Sequence, residues 1–263
     1  MKISTPIDKK ILLIAGTHGD ELVGTALLEK LSKQQNIAAL YKSVVGNPRA
    51  LAQNKRFIEA DLNRVAPGDA KSPVYEVMRA SELIELFKQF DYAIDFHETK
   101  ANDRIVIIIP RLCRQSLALA LSFNVNEVLV WPPSSLNVTT GPLVQYTPFG
   151  IEIECGTKSS FESTLANLEK IVIKFLKDGA SHVEENLSLP STNIRRKKFY
   201  LVYGRIDPHE IEGINLQDFG EVDTGRERFI ALLFGKHQGM TGYKMRPLDS
   251  YEMLDIISHS KDP

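Results

Sequence analysis

The chain has 263 residues, of which 43% are hydrophobic and 25% charged, and its formal net charge is −1. This balance is typical of a globular protein and gives no excess charge to attract nucleic acid or an anionic membrane, so we expect neither as a partner. Two cysteines are too few for a disulfide framework and indicate a reducing, cytoplasmic location. The N-terminal apolar stretch is too short for a signal sequence.

The first two thirds of the chain alternate short apolar runs with amphipathic segments. Strands are predicted at 11–15, 41–45, 92–96, 105–109, 128–131 and 151–154, and helices at 21–33, 81–90, 112–121 and 164–176. The run at 105–109 is apolar on both faces, which is typical of a central strand in a parallel sheet covered on each side. The alternation predicts an α/β fold with a mixed, mostly parallel sheet flanked by helices.

The last third of the chain has a different pattern. Between about residues 178 and 193 the sequence becomes polar and rich in turn residues, and the helical pattern stops. Beyond this point, strands are predicted at 198–203, 229–234 and 243–245, separated by glycines. We therefore predict two domains: an α/β domain over 1–187 that carries the functional site, and a smaller β-rich domain over 188–263 that covers it.

Two histidines stand where predicted strands end. His18 and Glu21 follow the strand at 11–15, and His97 follows the strand at 92–96. The carboxyl ends of strands are where α/β proteins place their ligands. A neutral imidazole and a carboxylate three residues apart can reach one ion from a single turn, and this donor set suits zinc better than calcium or magnesium. With a third ligand from His97, the sequence predicts a mononuclear zinc site.

A polar loop between the second strand and the second helix carries two arginines and an asparagine within nine residues, from Arg56 to Arg64. Guanidinium groups pair with carboxylates in a bidentate manner, and an asparagine amide adds a directional donor. The loop is suited to recognition of a small acidic molecule. Scattered surface charge is the alternative interpretation of this loop taken alone.

Five short motifs occur in one order along the chain: Gly-Thr-His-Gly-Asp-Glu, Gly-Asn-Pro-Arg-Ala, Arg-x-x-x-x-Asp-Leu-Asn-Arg, Asp-Phe-His and Gly-Ile-Glu-Ile-Glu-Cys-Gly. Over residues 11–157 this series resembles the aspartoacylase and succinylglutamate desuccinylase family, which is related to the zinc carboxypeptidases. The resemblance implies a carboxypeptidase-like fold. It also implies a zinc-dependent deacylase that hydrolyses the amide bond of a small carboxylate-bearing N-acyl amino acid through a metal-bound water.

The same resemblance implies a role for each matched residue. One Zn²⁺ per chain would be held by His18, Glu21 and His97, and Glu154 would act as the general acid and base. Arg56 would stabilise the oxyanion, and Asn63 and Arg64 would hold the α-carboxylate. Tyr243 matches, more loosely, a substrate-binding tyrosine from the C-terminal domain. Asp61 and Asp95 are carboxylates placed to orient the side chains that would bind the metal.

Several alternatives stay open at this level. Glu152 shares a strand face with Glu154 and is its rival for the acid and base role. In aspartoacylases an arginine upstream of the catalytic glutamate binds the side-chain carboxylate of N-acetylaspartate, yet residues 134–144 contain none, and Arg104 or Arg111 would have to substitute. A carboxypeptidase-like peptidase and a catalytically silent binding protein are the other functions. The oligomeric state, a homo-oligomer included, is also open.

Overall fold

The computed structural model describes residues 10–132, 142–147, 149–188, 194, 196–233 and 241–259. The described residues form one ten-stranded sheet in the order β2-β1-β3-β6-β4-β5-β7-β10-β9-β8. The strands are β1 Ile11–Ala15, β2 Lys42–Val45, β3 Tyr92–Thr99, β4 Ile105–Ile109, β5 Glu127–Val130, β6 Phe149–Gly156, β7 Lys198–Arg205, β8 Glu221–Asp223, β9 Arg228–Leu232 and β10 Tyr243–Pro247. The helices are α1 Val23–Ser32, α2 Gln35–Ala38, α3 Pro48–Ala52, α4 Tyr75–Phe87, α5 Arg114–Leu121, α6 Phe161–Lys174, α7 Ala180–Ser188 and α8 Ser250–His259. Short 3-10 turns occur at Leu62–Arg64, Leu143–Tyr146 and Pro208–Ile211, and one π turn at Phe175–Gly179.

The predicted fold class is confirmed: the sheet is mixed, most of its strand pairs are parallel, and helices lie on its faces. β2, β1, β3 and β6 run parallel to one another, and β4, β5 and β7 form a second parallel block. The two blocks meet where β4 runs antiparallel to β6. β4 is therefore a central strand as predicted, but it has only one parallel neighbour.

Two sequence predictions are wrong, one in the bounds of a helix and one in the absence of a helix. The helix expected at 81–90 begins at Tyr75 and ends at Phe87. β2 is followed closely by α3, whose first residue is Pro48, and the side chain of Asn47 caps the helix by accepting from the N–H of Ala50. The segment at 178–193 was expected to lack helix, yet α7 occupies Ala180–Ser188.

The second half of the chain extends the same sheet. β7 pairs in parallel with β5, and β10, β9 and β8 follow as an antiparallel edge. The division of the chain at residues 187 and 188 into two domains stays a prediction. Within the described part of the chain, no helix combines the length and the apolar character needed to cross a membrane.

Alternation of side chains sorts the core of the sheet into two faces. One face is covered by α1, α5, α6 and α7, and buries an apolar cluster that includes Ile94, Ile107 and Ile153. The opposite face carries two separate apolar clusters, one centred on α4 and the β1 side and the other on β4, β5, β7 and β10. Asp95, His97, Glu152 and Glu154 lie between these two clusters, because they alternate with the residues of the first face.

Candidate metal centre

The loop between β1 and α1 carries His18 and Glu21 to the carboxyl end of β1. Gly16 in this loop has a φ of +65°, a conformation that glycine adopts without steric cost. Gly19 lies so close to α3 that a Cβ there would be 2.1 Å from the carbonyl carbon of Ala50. The loop path is therefore fixed by the backbone conformation of Gly16 before His18 and by close packing of Gly19 on α3 after it.

His18, Glu21 and His97 converge on one point. The Nδ1 atom of His18 lies 2.8 Å from Glu21 Oε1, and the Nδ1 atom of His97 lies 3.0 Å from Glu21 Oε2. The two Nδ1 atoms are 3.2 Å apart. Both histidines are only 3% exposed, so neither imidazole is turned toward bulk solvent.

This arrangement fits a bound cation. The two imidazole Nδ1 atoms face each other at 3.2 Å, and a shared cation would accept a lone pair from each of them. Ligands at 2.0–2.1 Å from a tetrahedral zinc are about 3.3 Å apart, close to the separation observed here. The surroundings also carry excess negative charge, since two arginines, Arg56 and Arg64, lie among five carboxylates: Glu21, Asp61, Asp95, Glu152 and Glu154.

A carboxylate stands behind each imidazole. Asp61 Oδ1 lies 3.1 Å from Nε2 of His18, and Asp95 Oδ2 lies 3.2 Å from Nε2 of His97. Such carboxylates fix the orientation of a ligating imidazole and raise its basicity. Burial acts to lower the pKa of His97, but Asp95 and Glu152 raise it well above the ordinary value. The predicted positions of Asp61 and Asp95 behind the two histidines agree with this geometry.

The rival glutamates on β6 have different environments. Glu152 is 5% exposed, accepts a 2.7 Å hydrogen bond from Asn63 Nδ2, and lies 3.5 Å from His97 Nε2. Burial opposes the shift, but His97 and Asn63 hold the pKa of Glu152 below its ordinary value. Glu154 is beside His97 in the register of β3 and β6, and is partly exposed in the cavity. Burial and the charge of Glu21 raise the pKa of Glu154 to about 8.

The arginine loop lies across the other side of the trio. Arg56 donates from Nη1 to Glu21 at 3.0 Å and from Nη2 to Asp61 at 3.2 Å. The Asn63 amide is held at both ends, because its Oδ1 also accepts from the backbone N–H of Leu143 at 3.0 Å. Arg64 lines the same cavity and donates to the Asn63 carbonyl at 2.9 Å.

A cavity of about 1250 Å³ opens over these groups. The structure places eight of the ten predicted site residues on its wall, namely His18, Glu21, Arg56, Asn63, Arg64, His97, Glu154 and Tyr243, with Asp61 and Asp95 directly behind. Arg104 also lines the cavity, but its Nη1 bonds both carboxylate oxygens of Glu127, at 2.7 and 2.9 Å. Arg111 is not among the residues that line it. Residues 134–141 lie outside the described part of the chain.

The sequence alone did not indicate three residues that position the site. Thr17 donates from Oγ1 to Asp95 at 2.8 Å. Glu98 accepts from the backbone N–H groups of Leu22 and Val23, while its own N–H donates to Glu21 at 3.0 Å. Leu22, which precedes α1, has no side chain that can cap the helix, so the carboxylate of Glu98 takes that place. Glu76 is the third, and it accepts from the backbone of the arginine loop.

Known proteins resemble this chain in sequence over most of its length. The model of the succinylglutamate desuccinylase/aspartoacylase catalytic domain matches residues 7–178. A probable aspartoacylase of Prochlorococcus marinus subsp. pastoris is 32% identical in an alignment of 192 residues that covers 68% of this chain and 64% of that protein. A probable aspartoacylase of P. marinus strain MIT 9515 is 31% identical in an alignment of 183 residues that covers 64% of this chain and 61% of the relative. The matched part is thus less than two thirds of the length of each of these two relatives.

Solved structures resemble it in fold. Murine aminoacylase 3 superposes with a TM-score of 0.66 at 19% identity, covering 91% of this chain and 95% of that one. Succinylglutamate desuccinylase from Chromobacterium violaceum superposes with a TM-score of 0.63 at 17% identity, covering 92% and 85%. At these identities the likeness concerns the fold.

Proposed function

Because the chain belongs to the succinylglutamate desuccinylase/aspartoacylase family, we propose that it hydrolyses the amide bond of a small, carboxylate-bearing N-acyl amino acid with the aid of one zinc ion. His18, Glu21 and His97 would hold the ion. The observation that carries the proposal is the convergence of two imidazole nitrogens and a carboxylate at 2.8–3.2 Å from one another. Bound there, zinc would act as a Lewis acid that acidifies a water molecule and polarises the amide carbonyl.

Glu154 is proposed as the proton carrier. Its carboxylate would accept a proton from the attacking water and return it to the nitrogen of the leaving amine. Glu154 lines the cavity beside His97, whereas Glu152 is buried and already bonded to Asn63. The pKa of Glu154 is raised by burial and by the charge of Glu21. A dication bound near these groups would lower that pKa, because it favours the carboxylate form that a general base requires.

Arg56 and Arg64 are proposed to divide the negative charges of the substrate between them. Arg56 is fixed by Glu21 and Asp61 beside the ligand trio, where an N–H donor stabilises the amide oxygen as it becomes an oxyanion. Arg64 and Asn63 lie further along the same loop and would bind the α-carboxylate. The side-chain nitrogen of Asn63 has two N–H groups. One donates to Glu152, and the second would donate to the substrate carboxylate.

The test is hydrolysis by the zinc-loaded protein and by the Glu154→Gln variant. Amine release from a panel of N-acetyl, N-succinyl and N-formyl amino acids and short peptides would be measured by mass spectrometry. We expect release from an acyl amino acid, loss of release with a chelator, and a fall of at least about 10³-fold in kcat for Glu154→Gln with zinc still bound. The exposed α6 residue Glu162 provides the control variant Glu162→Gln, which should behave as wild type.

Other outcomes of the same panel would contradict parts of the proposal. Unchanged hydrolysis by Glu154→Gln would remove the role given to Glu154. Release from peptides alone would favour the peptidase. No release from any compound by a protein shown to contain zinc would favour a catalytically silent binding protein.

A further inference from the structure

The wall of the cavity changes character with distance from the ligand trio. The side formed by the arginine loop is polar and charged. Away from that loop, the lining includes an apolar and aromatic set among polar residues such as Asn102, Gln217 and Asp218. This set, called the apolar wall below, consists of Ile108, Trp131, Leu216, Leu233 and Tyr243. A substrate that places its amide at the trio and its α-carboxylate at Arg64 would meet this apolar wall with the rest of its surface.

The fold places this wall next to the reacting groups. Ile108 on β4 is paired with Glu152 on β6, and residues paired across a sheet share a face. Trp131 directly follows β5, and its ring meets the ring of Tyr243 edge-on, with centroids 4.7 Å apart. Ile108 and Tyr243 are 3% and 5% exposed and belong to the same apolar cluster, so the wall is packed from behind.

Charges on this side do not favour a second carboxylate on the substrate. The guanidinium of Arg104 is neutralised by both oxygens of Glu127 and also lies over the ring of Phe219, 4.5 Å from its centroid. Asp218 adds a carboxylate to the same wall, held by Asn102 Nδ2 at 2.6 Å and by the N–H of Leu233 at 2.7 Å.

Two lysines of the described part of the chain, Lys100 and Lys158, also line the cavity, and both are exposed. A buried anion without a dedicated partner is strongly disfavoured, whereas an apolar group gains from burial on such a wall.

We propose that the substrates of this site carry a single carboxylate, and that the substituent lying against Ile108, Trp131 and Tyr243 is apolar. The substrate class is then N-acyl derivatives of amino acids with apolar or aromatic side chains, in preference to derivatives of aspartate or glutamate. This inference rests on the proposed deacylase function and narrows it.

Three substrates of nearly the same shape test the inference. N-acetylleucine, N-acetylasparagine and N-acetylaspartate have side chains of similar outline that are apolar, polar and charged. We expect kcat/KM to fall in that order, with at least a tenfold advantage of N-acetylleucine over N-acetylaspartate. A preference for N-acetylaspartate, or values equal within threefold, would overturn the inference and leave the deacylase function intact. Hydrolysis of none of the three and of no other acyl amino acid would instead overturn the deacylase function itself.

A variant of the wall provides the second arm. Trp131→Ala should lower the ratio of kcat/KM for N-acetylleucine to that for N-acetylglycine about tenfold, because only the leucine side chain reaches the wall. A general loss of structure would lower both values together and leave the ratio unchanged, and that result would contradict the inference. Tyr251→Ala is the matched control, since Tyr251 is an aromatic residue that is 83% exposed on α8.

Discussion

Replacement of Glu76 by glutamine should detach the arginine loop from its support. Glu76 lies in the first turn of α4 and is fully buried. Its Oε1 accepts from the N–H of Ile58 at 2.7 Å and from Asn47 Nδ2 at 3.1 Å, and its Oε2 accepts from the N–H groups of Glu59 and Ala60, each at 3.2 Å. One carboxylate therefore satisfies four donors, three of them in the backbone of the loop.

The magnitude follows from the geometry. Glutamine keeps the shape of the side chain but replaces one acceptor oxygen with an NH₂ group that faces two donors. A hydrogen bond to a charged acceptor contributes about 1.5–3 kcal/mol, and a buried donor left without an acceptor adds a penalty. Allowing for relaxation, we expect Glu76→Gln to lower the free energy of unfolding by about 3 kcal/mol. For a chain of this size, that corresponds to a fall in Tm of roughly 6–12 °C.

The assay compares Glu76→Gln with Glu82→Gln by urea unfolding and by calorimetry. Glu82 lies on the same helix, is half exposed, and forms a surface ion pair with Arg79 at 2.9 Å. Such a pair contributes only about 0–1 kcal/mol. If Glu76→Gln lost no more stability than Glu82→Gln, the carboxylate would not be what holds the loop, and the reasoning would be refuted. Because the loop carries Arg56 and Arg64, kcat/KM should fall at temperatures where the variant is fully folded.

The pH dependence of this difference has a definite sign. Burial acts to raise the pKa of Glu76, but the four donors hold it below its ordinary value. A group whose pKa is lower in the folded state contributes stability that is present above its unfolded pKa and is lost as the pH falls through the folded value. The stability advantage of wild type over Glu76→Gln should therefore be largest near neutral pH and shrink in acid below about pH 4. Unfolding free energies measured from pH 7 to pH 3 would show this.

Three further predictions concern the candidate metal centre. Gly19→Ala should weaken zinc binding at least tenfold in a competition assay with a chromogenic chelator, since a Cβ at residue 19 overlaps the α3 backbone. The control variant Gly204→Ala should bind zinc as wild type does, because a Cβ there meets nothing within 4 Å. Glu152→Gln should raise KM more than it lowers kcat in steady-state kinetics, because Glu152 accepts a hydrogen bond from Asn63, which is proposed to bind the substrate. A fall in kcat alone would instead give Glu152 the role assigned to Glu154. Removal of zinc should lower Tm. Titration with zinc to about 1,000 times its Kd should restore about 4 kcal/mol of unfolding free energy by linkage, which calorimetry would measure. An unchanged Tm on addition of zinc would exclude zinc binding by the folded state.

Most strands could be predicted from the sequence because their apolar runs are local patterns. β1 begins and ends at the predicted residues, and β3, β4, β5 and β6 differ by three residues or fewer at each end. The start of α4 was missed because tertiary contacts determine it. The N–H of Tyr75 is capped by the side chain of Glu59, sixteen residues earlier, and the hydrophobic pattern gives no indication of that contact.

The candidate ligand trio was readable because two of its members are three residues apart and each histidine follows a predicted strand. The structure brings these side chains together, and their role as metal ligands stays a prediction. The positioning contacts of Thr17, Glu98 and Glu76 were not predicted. Each of them joins segments that are distant in sequence, and no local spacing records such a pairing.

The sequence by itself determined the mixed α/β architecture, the strand-end placement of His18 and His97, and the charge of the loop from Arg56 to Arg64. Only the tertiary structure showed how the surroundings of Glu152 and Glu154 differ, because both lie on one face of β6 and their neighbours are set by the strand register. It likewise decided that Arg104 is paired with Glu127. Local periodicity fixes which way a side chain faces along its own strand, whereas its partner is fixed by packing between segments far apart in the chain.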